Sequence, residues 1–196
     1  MMSRVSLRKI VRARRQQLLP REQLQASKKL LRLLSSHKKI QTAKTIALYL
    51  ANDGELDMHL FINWCWQQKK KVFLPVLHPF CSGHLLFLQY EKDTVLVENC
   101  YGIAEPILNV GKVCPLSQLD VLCTPLVAFD DTGARLGMGG GFYDRTLANW
   151  QVKNAPYPIG IAHDCQKVEH IPIEYWDIPL PEIITPAKRY ECLALK

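Results

Sequence analysis

The chain is expected to form an α/β fold in which a largely parallel sheet is flanked by helices. Three observations carry this. Two basic helical segments open the chain. Strand-like and helix-like runs alternate behind them. One run, residues 120–129 (DVLCTPLVAF), is apolar almost throughout, as befits a central strand covered on both faces.

Taken in order, residues 3–18 place Leu7, Ile10, Val11 and Leu18 at helical spacing, with Arg4, Arg8, Arg12 and Arg15 as a cationic stripe on another face. Pro20 suits the first turn of a second helix running to about His37, with Leu24, Leu30, Leu31 and Leu34 as its apolar side. Residues 44–50 (KTIALYL) read as a strand, and residues 58–69 as a helix capped by Asp57. Strands follow at residues 71–77 and 84–90, then the apolar run 120–129 and a glycine-rich turn. A helix over 143–150 and short strands at 158–162 and 182–185 complete the pattern. Phe61, Trp64 and Trp66 recur at helical spacing and are expected in the core. The 196 residues are expected to fold as a single α/β domain, with residues 1–39 as a basic helical arm packed on residues 40–196.

Residues 1–39 hold twelve Lys/Arg and one acid, Glu22; that segment is +11, so the remaining 157 residues sum to −4 against a total of +7. A basic arm on a mildly acidic body calls for an anionic partner. The seven cysteines include no CxxC pair, which excludes zinc-ribbon and thioredoxin readings and suggests reduced thiols in a cytoplasmic protein. No apolar stretch is long enough to cross a bilayer.

The chemical signal is residues 133–144 (GARLGMGGGFYD), which hold five of the ten glycines and follow the most apolar strand. Glycine lets backbone N–H groups crowd around an anion. Arg135 and Arg145 flank the loop and can pair with phosphate oxygens, and Asp144 can hold a Mg²⁺ that bridges them. The loop lacks the Lys-Ser/Thr of a Walker A motif, and Phe142 stands where a dinucleotide fingerprint needs its third glycine. The residues thus describe an anion site at the C-terminal end of a strand.

The run DVLCTPLVAFDDTGARLGMGGGFYDRTL closely resembles the signature of the 5-formyltetrahydrofolate cyclo-ligase family. SRVSLRK, YLANDGELDMHLFI and IGIAHDCQKVEHIPIEYWDIPLPEIIT match the same family in the same order. One departure is Met138, where many members carry Arg. The resemblance implies a NagB/RpiA/CoA-transferase-like fold. It implies ATP- and Mg²⁺-dependent closure of 5-formyltetrahydrofolate to 5,10-methenyltetrahydrofolate, with release of ADP and phosphate, through phosphorylation of the formyl oxygen.

By matched position, Arg135, Leu136, Gly137, Met138, Gly139, Gly140, Gly141, Phe142 and Tyr143 would surround the ATP phosphates. Arg4 and Arg8 would close over the nucleotide. Arg135 and Tyr143 would act in catalysis, Leu50, Glu55 and Tyr143 would hold the folate, and Asp144 and Asp177 would bind Mg²⁺. Lys9, Arg12 and Arg15 are expected, on charge alone, to attract the tail of a polyglutamylated substrate. No nucleic acid, no membrane and a monomer are expected. Two other readings stand beside this one. The basic arm suits a nucleic-acid-binding protein, although no RRM, KH or zinc-finger signature is present. A sugar-phosphate isomerase or CoA-transferase-like enzyme would share the fold.

Overall fold

A computed structural model describes residues 2–152 and 155–192. Three helices, α1 (Arg4–Gln16), α2 (Pro20–Ser35) and α3 (Lys38–Thr42), precede β1 (Thr45–Ala47). Then come α4 (His59–Gln67), β2 (Lys71–Leu77), β3 (Leu85–Tyr90), β4 (Leu96–Glu98), β5 (Ala104–Pro106), β6 (Val113–Cys114) and β7 (Val121–Pro125). The remainder is β8 (Ala128–Phe129), β9 (Arg135–Leu136), α5 (Phe142–Leu147), β10 (Tyr157–Ile161), β11 (Glu182–Ile184) and β12 (Arg189–Glu191). No described helix is long and apolar enough to cross a membrane.

Local chemistry sets the helix starts. The Ser3 hydroxyl accepts from the Ser6 N–H, capping α1. Pro20 occupies the first turn of α2, and the Glu22 carboxylate accepts from the Leu19 N–H. Asp57 was expected as the cap of the fourth helix. Met58 occupies that position instead, and Asp57 Oδ1 still accepts from the His59 N–H at 2.8 Å.

Eight strands form one sheet in the order β12-β11-β10-β7-β1-β2-β3-β6. The five from β11 to β2 run parallel. The outer strands β12, β3 and β6 pair antiparallel, so the sheet is parallel in its centre only. Successive side chains alternate between faces. Ile46, Val121 and Cys123 pack with Leu30, Leu34, Phe61 and Ile62 of α2 and α4, with Trp64 and Trp66 half-buried against them. Ala47, Leu122 and Ile183 pack on the other face, which α5 covers through Leu147. A third cluster seats Leu7 and Val11 of α1 on Ala128 and Leu136.

The apolar run 120–129 is not one strand. The sheet ladder ends at Pro125, β8 leaves it, and β8 pairs with β9 as a separate hairpin. Residues 44–50 contribute only Thr45–Ala47 to the ladder, and the helix expected over 143–150 spans only Phe142–Leu147.

Leu30 is fully buried between helix and sheet. Leu30→Ala is therefore expected to lower stability by about 2–5 kcal/mol, read as a urea midpoint that falls at constant slope. A loss under 1 kcal/mol would contradict this packing.

Candidate functional site

Parallel strands end with their C-terminal edges at one side of a sheet, and α/β proteins bind ligands there. That edge holds a cavity of about 650 Å³. Its walls come from the chain after β1 (Tyr49, Leu50, Asn52, Glu55), from Pro125–Val127 after β7, from the glycine loop, from α1, and from the segment around Asp177. Arg4, Arg8, Leu50, Glu55, Arg135, Gly137, Met138, Gly139, Gly140, Gly141, Phe142, Tyr143, Asp144 and Asp177 all line it. Leu136 does not. Its side chain is fully buried under α1, and only its neighbours in the loop face the cavity.

The loop's path depends on two glycines. Gly139 (φ 108°) and Gly141 (φ 66°) occupy the left-handed region, where a Cβ is disfavoured. Arg8 Nε donates to the Gly137 carbonyl at 2.7 Å, tying α1 to the loop. Arg145, expected to face phosphate, instead donates to the Gly83 carbonyl at 2.7 Å and to the Gly140 carbonyl, outside the cavity lining. With six residues, α5 also contributes little of the helix dipole invoked for an anion.

Arg135 is the centre of charge. It is 4 % exposed. Its Nη2 pairs with Asp144 Oδ1 at 2.8 Å, while its Nε is buried with no hydrogen-bond partner among the described residues. An unsatisfied buried guanidinium N–H is costly, and the Arg135 side chain lines the cavity where an oxyanion can pair with its charge. Burial lowers the Arg135 pKa, against the opposing pull of Asp144 and Asp177. Arg4 grips Asp177 through both nitrogens and also donates to the Pro172 carbonyl at 3.0 Å. Burial pushes the Asp177 carboxyl up, yet the Arg4 and Glu174 N–H bonds leave it below its ordinary value. Both expected metal ligands thus share one cavity, each already paired with an arginine. Two hard carboxylates at one cavity can hold Mg²⁺, which keeps waters and phosphate oxygens in its shell. The described residues hold no group of three or more His, Cys, Asp or Glu placed for a metal.

Glu55 forms the opposite wall. Its side chain is 15 % exposed, and its Oε2 accepts from the Asn52 N–H at 3.1 Å. Burial raises its carboxyl to about 7, although Arg15 acts against the shift. Burial, with Glu55 next, holds the Tyr143 phenol above its ordinary range, so it remains a proton donor. The charge stripe of α1 is turned inward rather than displayed. Arg15 is fully buried, and Arg12 and Arg15 both pair with Asp53 at 2.7 Å. Of the three residues assigned to a glutamate tail, Arg15 is buried, Lys9 is exposed, and the Arg12 side chain, though paired with Asp53, remains 41 % exposed.

Several wall residues gave no sequence signal. Asn99, Tyr101 and Glu105 come from the β4–β5 hairpin, whose three-residue strands are too short to show periodicity. Asn99 Nδ2 donates to Glu105 Oε2 at 2.9 Å, and Tyr101 meets Phe142 edge-on at 6.1 Å. Tyr49 and Trp176 also line the cavity.

A model of the 5-formyltetrahydrofolate cyclo-ligase family matches residues 1–186. The 5-formyltetrahydrofolate cyclo-ligase of Escherichia coli K12 is 51 % identical over 182 residues, 93 % of this chain and 100 % of that protein. The Haemophilus influenzae protein of the same name is 57 % identical over 142 residues, 72 % of this chain and 75 % of its own length. The solved structure of Aquifex aeolicus 5,10-methenyltetrahydrofolate synthetase superposes with a TM-score of 0.83 at 28 % identity, covering 100 % of this chain and 95 % of that one.

Proposed function

This chain belongs to the 5-formyltetrahydrofolate cyclo-ligase family, and from that premise we propose that the cavity closes 5-formyltetrahydrofolate to 5,10-methenyltetrahydrofolate using Mg²⁺ and ATP. The observation that carries the site assignment is the buried Arg135, which lines the cavity with the glycine loop and pairs with one of its two carboxylates. Bound ATP would supply a phosphoryl group that makes the formyl oxygen a leaving group, so that N10 closes on the formyl carbon with loss of its proton and release of phosphate.

The chain's own residues then have distinct tasks. Arg135 neutralises charge on the transferring phosphoryl oxygens, as phosphoryl transfer requires. Arg4 and Arg8 reach the same space from α1, and Asp144 and Asp177 hold the metal. Glu55 accepts hydrogen bonds from the amino and ring N–H groups of the pterin. The protonated Tyr143 donates toward the formyl group, and Leu50 packs on the folate. In this reading α1 is part of the catalytic unit and the chain is one domain, because the glycine loop and Asp177 are both tied to it. Arg4, Arg12 and Arg15 are each paired with a carboxylate of this chain, which neutralises part of the stripe that a nucleic-acid reading needs.

The test is a turnover assay with 5-formyltetrahydrofolate and Mg·ATP, following the methenyl chromophore and ADP. Product formed one-for-one with ADP, and only with metal, is the expected result. Folded protein that makes no product would sink the proposal.

Glu55 adds a pH prediction. Its anionic form binds, and its carboxyl lies at about 7. Below that pH the carboxylate fraction falls tenfold per unit, so kcat/KM for the folate should drop about tenfold per pH unit on the acid side. A profile flat from pH 5.5 to 7.5 would remove Glu55 from substrate binding.

A further inference from the structure

Arg15 is the largest fully buried side chain, and it is a cation. A buried charge persists only where partners compensate it. Its Nη2 meets Asp53 Oδ2 at 2.7 Å, its Nε donates to the Asp53 carbonyl at 2.8 Å, and its Nη1 lies 3.9 Å from Glu55 Oε1.

Those partners belong to one tight turn, residues 52–55. Asp53 adopts φ 51°, an uncommon conformation for a residue with a Cβ, and Gly54 follows at φ 74°. Two consecutive left-handed residues need outside support. Asp53 receives it from three side chains of α1, Arg12, Arg15 and Gln16. The turn also lies against α1, since a Cβ on Gly54 would stand 3.4 Å from the Arg15 carbonyl oxygen. Within the turn, Glu55 N–H donates to the Asn52 carbonyl and Asn52 N–H donates to the Glu55 carboxylate.

We propose that Arg15 is a positioning residue for substrate binding, holding the turn of residues 52–55 so that the Glu55 carboxylate stands fixed at the cavity wall. This rests on the reading of Glu55 as a folate-binding group. Arg15 is the opposite charge nearest Glu55. Asp53 faces Glu55 from the same turn and favours its protonation; Tyr49, just beyond β1, and Tyr143 of α5 stand near it as neutral phenols whose own ionisation Glu55 opposes. His163, beside the backbone of Gly54 and Glu55, is held neutral near pH 7, because burial and Arg15 lower it to about 4. Loss of Arg15 therefore removes the opposing positive charge, and the Glu55 carboxyl must titrate at higher pH.

The experiment compares Arg15→Met and Arg15→Lys with the unmodified protein in pH profiles of kcat/KM, with each substrate's KM measured separately. Arg15→Met is expected to move the acid limb up by about one pH unit, the low end for an opposite charge within 4–6 Å. It is also expected to raise the folate KM about tenfold while the ATP KM changes less than about threefold. Arg15→Lys keeps the charge and should show only part of the pH shift. If Arg15→Met fails to fold, Arg15→Met/Asp53→Asn removes both charges. It is read on the two KM values alone, because losing Asp53 lowers the Glu55 carboxyl and offsets the pH shift. The folate KM is still expected to rise about tenfold. An unmoved acid limb in folded Arg15→Met, or equal changes in both KM values in the folded variant, overturns the proposal. Glu55→Gln separates the two failures. If Glu55→Gln turns over normally, the Glu55 reading falls. If Glu55→Gln is impaired and the Arg15 variants show no shift, only the Arg15 inference falls.

Discussion

Replacing Arg135 with alanine is expected to lower kcat about 10³-fold, the scale on which a transition-state arginine acts in phosphoryl transfer. The guanidinium is desolvated, so its charge is little screened. It is also pre-placed by Asp144, so little reorganisation is needed when charge develops. The fold should survive, because the abandoned Asp144 is 21 % exposed and also accepts from the Ile178 N–H. Arg135→Lys keeps the charge but not the fork and should recover only part of the loss. Steady-state kinetics with both substrates varied make the check. A variant with unchanged kcat and a raised ATP KM would make Arg135 a ground-state binder instead.

Asp144→Asn is expected to raise the Mg²⁺ concentration for half-maximal activity about 100-fold, the upper range for disturbing a metal's ligand environment. In this structure Asp144 serves Arg135, and Asp177 serves Arg4. A metal held by both carboxylates would draw on the same negative charge that now serves the two arginines, leaving the guanidinium groups freer to pair with phosphate oxygens. Metal and nucleotide should therefore bind with positive coupling. The substitution leaves Arg135 without its ionic partner, and stability should fall by about 2 kcal/mol, less than for a fully buried pair because Asp144 is partly exposed. Magnesium titrations at saturating ATP, together with urea melts, test both effects. An unchanged magnesium response would assign the metal elsewhere.

The parts legible in the sequence were those written in local pattern. The glycines of residues 137–141 announced a backbone that bends sharply, and the β-branched runs announced the central strands. The end of the sheet ladder at Pro125 was less visible, because Leu126 to Phe129 continue the same apolar composition while turning to a different partner. Register and partner choice are tertiary facts. The same holds for charge. Periodicity placed Arg12 and Arg15 on a stripe of α1, and a stripe of arginine ordinarily faces water. Only the fold brings Asp53 against it, 38 residues beyond Arg15 in sequence. The β4–β5 hairpin, with its three-residue strands, supplies Tyr101 and Glu105 to the cavity without any repeat long enough to read.

The bond between Arg4 and Asp177 spans 173 residues. At about 5–20 residues per second of synthesis, about 9–35 s separate the two on the ribosome. Helix α1, made long before Asp177, is thus among the last elements of this fold to find its seat. For most of that interval Leu7 and Val11 lack this cover, because Ala128 and Leu136 do not yet exist. The arginines that later turn inward instead keep the nascent segment charged and hydrated. The same side chains that shape the finished cavity would protect the unfinished chain from premature association.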